Sequence, residues 1–382
     1  MKIASVYDVI YPFGLGGGER RNWEIAKRLA AHGHKVELVS VQMWDGDPVL
    51  IRDKVRCVGV CPWRQDLTVG GKRSFWEPLY FARHLYSYLR RQKFDIIDCG
   101  SFPYLSCLAA RAAALHTGAE LVVTWYEVRG FSRWVDHRGW LIGPVAWLFE
   151  TLVSKLTAHN VAISDFTAER ARWILGMKNA AVIPCGVDLA ACGAQKKTDK
   201  VDQFLYVGRL IEYKQVDLLI EAFAHILASF PQYRLKIVGR GYERAALGEQ
   251  VRALGLEAKV DFVDALDEAA LYREFALSRA FVLPSEQEGF GMVLLEAMAV
   301  GTPVLAMDAP NSAAGTLIYN GRNGLLFTDR ETLTAAMWVV LHDEPRVRSL
   351  VAGGRSTAAG YDWGAAVVPA VEEYYRKILK PA

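Results

Sequence analysis

The chain of 382 residues is long enough for two domains, each with its own core. Its 52% hydrophobic and 23% charged content is that of a globular protein and excludes disorder. The net charge is only +3, but residues 1–187 carry 24 Lys+Arg against 17 Asp+Glu, or +7, while the remainder carries 21 against 25, or −4. Nine of the eleven tryptophans lie in that basic half. Such a half suits an amphipathic or anionic surface, a membrane face among them, and equally a Trp-rich core under solvated arginines. No nucleic-acid partner is expected. Six cysteines, at 57, 61, 99, 107, 185 and 192, form no C-x-x-C pair and read as free cytosolic thiols. The most apolar stretch, Leu141 to Phe149, carries Pro144, stops at Glu150 and is too short to cross a bilayer. Met1-Lys2 runs directly into strand-like IASVYDVIY, so no secretory leader is expected and the location expected is cytoplasmic, with peripheral contact at the inner membrane face through the basic half.

In chain order, Ile3 to Val9 reads as a buried strand, and Phe13 to Arg20 (FGLGGGER) as a loop opening a helix that runs to about Ala31 and ends at Gly33. Val36 to Val41 is the next strand, which completes a strand–glycine loop–helix–strand unit of a parallel sheet. The loop is neither G-x-G-x-x-G nor a Walker A motif, yet Gly16, Gly17 and Gly18 allow close backbone approach to a ligand. Asp45-Gly46-Asp47 has the letters of a metal-binding D-x-D but falls in an irregular loop, and no metal is expected. Ser74 to Arg91 has helical periodicity, Phe94 to Asp98 is strand-like, and a helix near Leu105 to His116 leads to a strand at Glu120 to Thr124. Tyr126 emerges at that strand's end, where open α/β sheets place ligand contacts, and an aromatic packing role suits it as well. Residues 129–150, with Arg129, Arg133, Arg138 and three tryptophans, read as an irregular flap or acceptor surface. Asn160 to Ser164 and Ala181 to Pro184 are the last strands of the first domain, and lysine-rich Gln195 to Lys200 is a linker.

The alternation then restarts. Gln203 to Val207 is a strand, Gly208 to Lys214 a loop, Val216 to Leu227 an amphipathic helix, and Leu235 to Val238 a strand ending at Gly239. Arg209 and Lys214 bracket a strand-to-helix loop, where two cations and a helix N-terminus can receive one anion. Val260 to Val263 is another strand. Ala280 to Leu283 ends at Pro284, and after a glycine-flanked turn Met292 to Val300 is a helix capped by Gly301. Glu288 precedes that helix and Glu296 lies within it, on the order of 10 Å apart, about the reach of a diphosphate linking two sugars. Read in isolation, the two acids would be a cap and a solvated helix face.

The stretch PSEQEGFGMVLLEAMAVGTPV, with its E-x7-E spacing, resembles the signature of the retaining GT4 glycosyltransferases of GT-B fold. Gly208-Arg209 to Lys214 resembles that family's GR-x4-K, and Gly17-Gly18-Glu19-Arg20 its loop near donor phosphates and acceptor. The resemblance spans nearly the whole chain. It implies two Rossmann-like domains facing a cleft, an acceptor-side domain over 1–187 and a nucleotide-sugar domain over 201–360, with 361–382 a helix crossing back to the first. It implies a hexosyl transfer from a nucleotide sugar to a hydroxyl of a glycan, glycolipid or natural product, with retention and without metal. Arg209 and Lys214 would steady the leaving diphosphate and Glu288 would orient the sugar. Gly16 to Gly18, Tyr126, Gly208, Phe290, Gly291, Met292 and Val293 would contact the donor, Glu296 its ribose, and Glu19 and Arg20 the acceptor. Domain closure would exclude water.

Four positions depart from the family pattern. Tyr126 stands for a common histidine, Cys185 for the asparagine of N-G-V-D, Asp264 for a glycine near the nucleobase, and Asn311 to Leu317 lacks a frequent glutamate. A phenol, with an ordinary pKa near 10, is a poor base at neutral pH. A non-catalytic sugar-nucleotide binder and a GT-B epimerase or phosphorylase are the competing readings. Sugar, base, acceptor and linkage depend on pocket contacts the sequence does not display.

Overall fold

The structure, a computed structural model, describes all residues but 15, 65–67, 70–71, 74–75, 195–199 and 381–382, and of 68, 69, 72 and 73 only the backbone. The linker expected at Gln195 to Lys200 falls outside the described residues except for Lys200, as do Ser74 and Phe75 of the helix expected from Ser74. The chain divides into two compact units, one of Met1–Cys185 with Trp363–Ala382 and one of Gly186–Asp362.

The first unit is an eight-stranded sheet. Its strands are β1 (Lys2–Val6), β2 (Lys35–Gln42), β3 (Val49–Arg52) and β4 (Val55–Pro62), then, past the short ribbon of β5 (Thr68–Val69) and β6 (Lys72–Arg73), β7 (Ile96–Gly100), β8 (Glu120–Trp125), β9 (His159–Ala162) and β10 (Ala180–Val182). They lie in the order β10-β9-β8-β7-β1-β2-β4-β3, all parallel save the antiparallel β3–β4 pair. Parallel strands covered on both faces need continuous apolar runs. Accordingly Ile97, Val123 and Trp125 pack beneath α2 (Trp76–Leu89) and α3 (Tyr104–Thr117), which follow α1 (Gly17–Ala31) in the chain. The alanines Ala110, Ala113 and Ala114 of α3 sit in that core.

One expectation fails here. Residues 129–150 are not irregular: they belong to α4 (Gly130–Val153), broken at Gly139, whose φ of 73° and ψ of 172° no helix contains. Pro144 lies only five residues past the break and so removes a single hydrogen bond near the start of the second half. The chain continues into α5 (Asp165–Leu175), capped by Ser164, whose hydroxyl accepts from Thr167 N.

The second unit opens with α6 (Leu189–Gly193), capped by Asp188. Its six-stranded sheet is wholly parallel in the order β13-β12-β11-β14-β16-β18, from β11 (Val201–Val207), β12 (Arg234–Val238), β13 (Val260–Val263), β14 (Ser278–Leu283), β16 (Val304–Met307) and β18 (Leu325–Phe327). The two-residue strands β15 (Gln287–Glu288) and β17 (Asn311–Ser312) pair outside it. Helices α7 (Val216–Leu227), α8 (Arg244–Ala253), α9 (Glu268–Leu277), α10 (Met292–Val300), α11 (Ala314–Leu317), α12 (Arg330–His342) and α13 (Glu344–Ala359) complete it. Leu219, Ile220, Phe223 and Ile226 of α7, at helical spacing, pack with Phe204, Leu235 and Ile237 of the sheet. After a π-turn at Trp363–Val367, α14 (Val368–Leu379) returns to the first unit. There Tyr375 Oη donates to Asp98 of β7 at 2.5 Å, and Glu372 meets His32 Nδ1 at 2.7 Å.

The loop after β11 is tied to the loop after β12: Leu210 N donates to Arg240 O at 2.8 Å and Glu243 N to Leu210 O at 3.1 Å. A Cβ on Gly241 would overlap the Leu210 carbonyl, whereas one on Gly248 of α8 would meet only the flexible end of Arg244, at 3.3 Å. Gly241→Ala is therefore expected to destabilise by about 3 kcal/mol, and Gly248→Ala to stabilise by up to about 1 kcal/mol. Calorimetric melting of both variants checks this, and equal shifts would remove the clash as the reason for glycine at 241.

Candidate active site

In an open parallel sheet, ligands collect where neighbouring strands send their connections to opposite sides. In the second unit that point lies between β11 and β14, since β12 and β13 continue one way and β16 and β18 the other. Gly208-Arg209 leaves the end of β11, and the Pro284–Gly291 turn leaves the end of β14. The first of these loops closes in a 3-10 turn at Glu212–Lys214, and Gln215, with φ 47° and ψ 45°, turns the chain into α7.

Three contacts tie the two loops together. The Lys214 ammonium, only 8% exposed as a residue, pairs with the Glu288 carboxylate. Gln215 Nε2 donates to Glu286 Oε1 at 2.6 Å, and Glu286 N donates to Tyr213 O at 3.0 Å. The backbone of Glu288 is fixed in turn by the β15–β17 pairing and by Ala313 N donating to its carbonyl at 2.8 Å. Arg209 Nη2 donates to Tyr213 Oη at 2.7 Å, and buried Tyr206 donates to the Arg209 carbonyl at 2.9 Å. Burial, reinforced by the charge of Glu288, pushes the Tyr206 hydroxyl well above its ordinary pKa. Gly291, at φ 90°, starts α10 with no side chain to cap it, and Phe290 packs edge-on to Tyr361 with ring centroids 5.8 Å apart. Glu296 is buried in α10 at 2% exposure. Thus Arg209, Lys214, Glu288 and the α10 start come together on one sheet edge, while Lys214 is paired with a carboxylate rather than standing open. Asp264 forms an exposed pair with Arg240 at 3.2 Å.

The first unit has its own switch point, between β1 and β7. Tyr7, directly after β1, packs edge-to-face on Tyr126, with ring centroids 5.3 Å apart. Glycines flank the pair: a Cβ on Gly18 would lie 2.5 Å from Tyr7 Oη, and one on Gly100 2.6 Å from the Tyr7 ring. A Cβ on Gly16 would meet only the flexible carboxylate end of Glu19. Arg20 N donates to Gly16 O at 3.1 Å in the first turn of α1. Tyr126 Oη donates to Asn22 Oδ1 at 2.7 Å. Burial holds this phenol well above its ordinary pKa, against the pull of the neighbouring Arg21 charge, so it acts as a neutral donor. Arg21, 2% exposed, donates from Nη2 to Ile183 O at 3.0 Å, while its Nε and Asn22 Nδ2 are buried without a partner. Asp98, its carboxyl raised by burial, accepts from Tyr375 and, at 2.7 Å, from Thr124 Oγ1.

Sequence reading missed Tyr7, Arg21, Asn22 and Asp98. Tyr7 had a signal in its place after a strand. Arg21 and Asn22 had one in their i+3 and i+4 relation to Gly18. Tyr375 and Asp98, 277 residues apart, had none. Among the described residues no group of three or more His, Cys, Asp or Glu could hold a metal ion. Asp45 and Asp47 lie in the bends between β2 and β3. No helix among the described residues is long and apolar enough to cross a membrane.

Comparison with known proteins matches residues 15–191 to the model for Glycosyltransferase Family 4 and residues 193–357 to that for Glycosyl transferases group 1. The chain is 25% identical to a glycogen synthase of Mycobacterium tuberculosis over 98% of its own length and 94% of the relative's. It is 35% identical to a D-inositol 3-phosphate glycosyltransferase of Frankia alni over 47% of this chain and 46% of that one. Among solved structures it resembles sucrose-phosphate synthase of Thermosynechococcus elongatus, with a TM-score of 0.82, 21% identity and coverage of 99% and 98%. It also resembles Anabaena HepE in complex with UDP-glucose, with a TM-score of 0.75, 17% identity and 99% of each chain. At those identities the structural likenesses establish the fold.

The Tyr126–Asn22 contact makes a separable prediction. Tyr126→Phe and Asn22→Ala should each destabilise by roughly 1–2 kcal/mol, with the double variant little worse than either alone. Additive losses in urea unfolding would show that the two side chains contribute independently.

Proposed function

The chain belongs to glycosyltransferase family 4, has the GT-B fold and moves a glycosyl unit from a nucleotide sugar; on that premise we propose that the unit is a hexose, delivered to a hydroxyl acceptor with retention and without a metal. The observation that carries this is the Lys214–Glu288 pair at the sheet switch point, with Arg209 on the same loop and the uncapped start of α10 beside it. A diphosphate brings negative charge that Arg209, Lys214 and the N–H groups of Phe290 to Val293 can meet, and that charge grows as the glycosidic bond breaks. As Lys214 turns to the diphosphate, Glu288 is released to accept from sugar hydroxyls. Glu296 is assigned to the ribose.

In this mechanism the acceptor oxygen attacks the anomeric carbon on the face from which the phosphate oxygen departs. The new C–O bond forms as the old one breaks, and the acceptor proton passes to the departing phosphate. Glu19 and Arg20 of the first unit are assigned to the acceptor. Tyr126 takes no part as a base, because its hydroxyl is held neutral and donates to Asn22. The protein is taken to work in the cytoplasm, with its basic, tryptophan-rich half resting peripherally on the inner membrane face.

Titration calorimetry with UDP, GDP, ADP and TDP sugars tests the donor site. One base should bind, and Arg209→Ala and Glu296→Ala should each weaken it at least about tenfold, the worth of a lost charge-assisted hydrogen bond. Binding of none of the four would overturn the assignment. With an active acceptor found, the product should keep the anomeric configuration of the donor and form undiminished in chelator; inversion, or rescue by a divalent cation, would overturn the corresponding part.

A further inference from the structure

The two halves of α4 fold back on each other. A Cβ on Gly143 would lie 2.6 Å from Val135 Cα and 2.7 Å from the Trp134 carbonyl. Phe131 bridges the halves edge-on to Trp140 and Trp147, with centroids 6.0 and 5.4 Å away. Glu150 locks them: its buried carboxylate accepts from Arg129 N at 2.8 Å, Gly130 N at 2.9 Å and Trp134 Nε1 at 3.1 Å. The second half is thus anchored by its inner side.

Its outer side is apolar and open. Leu141, Val145, Leu148 and Leu152 recur at i, i+4, i+7 and i+11, one stripe of a helix, and Leu141 is 91% exposed. Trp140 at 74% and Ile142 at 54% flank the stripe's start. Exposed Arg138 stands just before it and exposed Lys155 just after. Between residues 137 and 155 the single acid is Glu150, which faces inward, so the open side carries cations at both ends and no carboxylate.

We propose that this outer side of α4 is the surface on which the protein rests on an anionic lipid bilayer, with Trp140, Leu141 and Ile142 entering between the headgroups and Arg138 and Lys155 on lipid phosphates. This gives the proposed peripheral membrane contact a place and rests on that contact. An apolar stripe with tryptophan at its edge and cations at its ends is the pattern of a helix lying in the interface plane. The half from Trp140 to Val153 is roughly 20 Å long, too short to span a hydrocarbon core. A bilayer fits better than a second copy of the chain because a nearly fully exposed Leu141 forms a ridge: fluid acyl chains close around a ridge of any shape, whereas a protein partner needs a matching socket.

The test is co-sedimentation of the full chain with vesicles of phosphatidylcholine alone and of phosphatidylcholine with equimolar phosphatidylglycerol. Wild type should bind the anionic vesicles, less well in high salt, and the Trp140→Ser/Leu141→Ser double variant should bind about tenfold or more weakly. Arg138→Gln/Lys155→Gln should lose most of the salt dependence. Both double variants change exposed side chains, and unchanged circular dichroism and nucleotide-sugar binding would confirm their folding. As an independent readout, brominated lipid should quench wild-type fluorescence more than that of Trp140→Phe. Wild type that binds neither vesicle overturns the membrane contact itself. Wild-type binding that the Trp140→Ser/Leu141→Ser change leaves intact overturns only its place. A concentration-dependent dimer abolished by that change, without vesicle binding, assigns the stripe to a second copy and overturns the proposal.

Discussion

The second unit is built around a carboxylate and an ammonium that are largely withdrawn from water and face each other. The side chains of Lys214 and Glu288 retain 10% and 14% exposure and sit on two different loops. Removing either partner of a buried pair typically costs 3–5 kcal/mol, because the remaining charge is stranded. The pair therefore fixes the distance between the loop after β11 and the loop after β14, and the Gln215–Glu286 and Glu286–Tyr213 contacts follow it. On the proposed donor assignment a diphosphate would compete for Lys214 with a carboxylate already in place, so that donor binding and the release of Glu288 would be one event. With Glu288 opposite it, Lys214 is not left as an unpaired cation at this largely buried position.

The first unit meets the same constraint with hydrogen bonds in place of a salt bridge. Its switch point is filled by phenols: Tyr7 against Tyr126, Tyr126 to Asn22, and Tyr375 to Asp98. Burial raises each of these phenols, which keeps them neutral and able to donate. Arg21 brings a permanent positive charge, and Asp98 lies near enough to answer it. Two glycines, 18 and 100, allow rings where any side chain would collide.

The sheet-and-helix alternation was legible because it is local. Val260 to Val263 and Met292 to Val300 have the same bounds in sequence and structure, and Gly301 does cap α10, at φ 94°. The paired strands β3 and β4 went unread: Val49–Arg52 is short and half-exposed at a sheet edge, with no clean alternation. Residues 129–150 were misread because Gly139, Gly143 and Pro144 look like breakers, whereas one makes a real break, one a close crossing of the two halves, and the proline falls where little is lost. Arg209, Lys214, Glu288 and Glu296 stand out in the sequence by their spacing within motifs that resemble the family's. What spacing could not say is that Lys214 and Glu288 hold each other, a contact across 74 residues. Nor could it foresee that the hydroxyl of Tyr126 would be committed to Asn22.

The bond from Tyr375 to Asp98 has a consequence for the order of synthesis. Unit one is made of Met1–Cys185 and Trp363–Ala382, with all of Gly186–Asp362 intervening. A ribosome must therefore translate the entire second unit after β7 is made and before Tyr375 exists to cover Asp98. At ordinary elongation speeds that interval is roughly 14 to 55 seconds. During it the nascent first sheet waits with one flank of its switch point bare, while the second unit, contiguous in the chain, can fold as soon as it emerges.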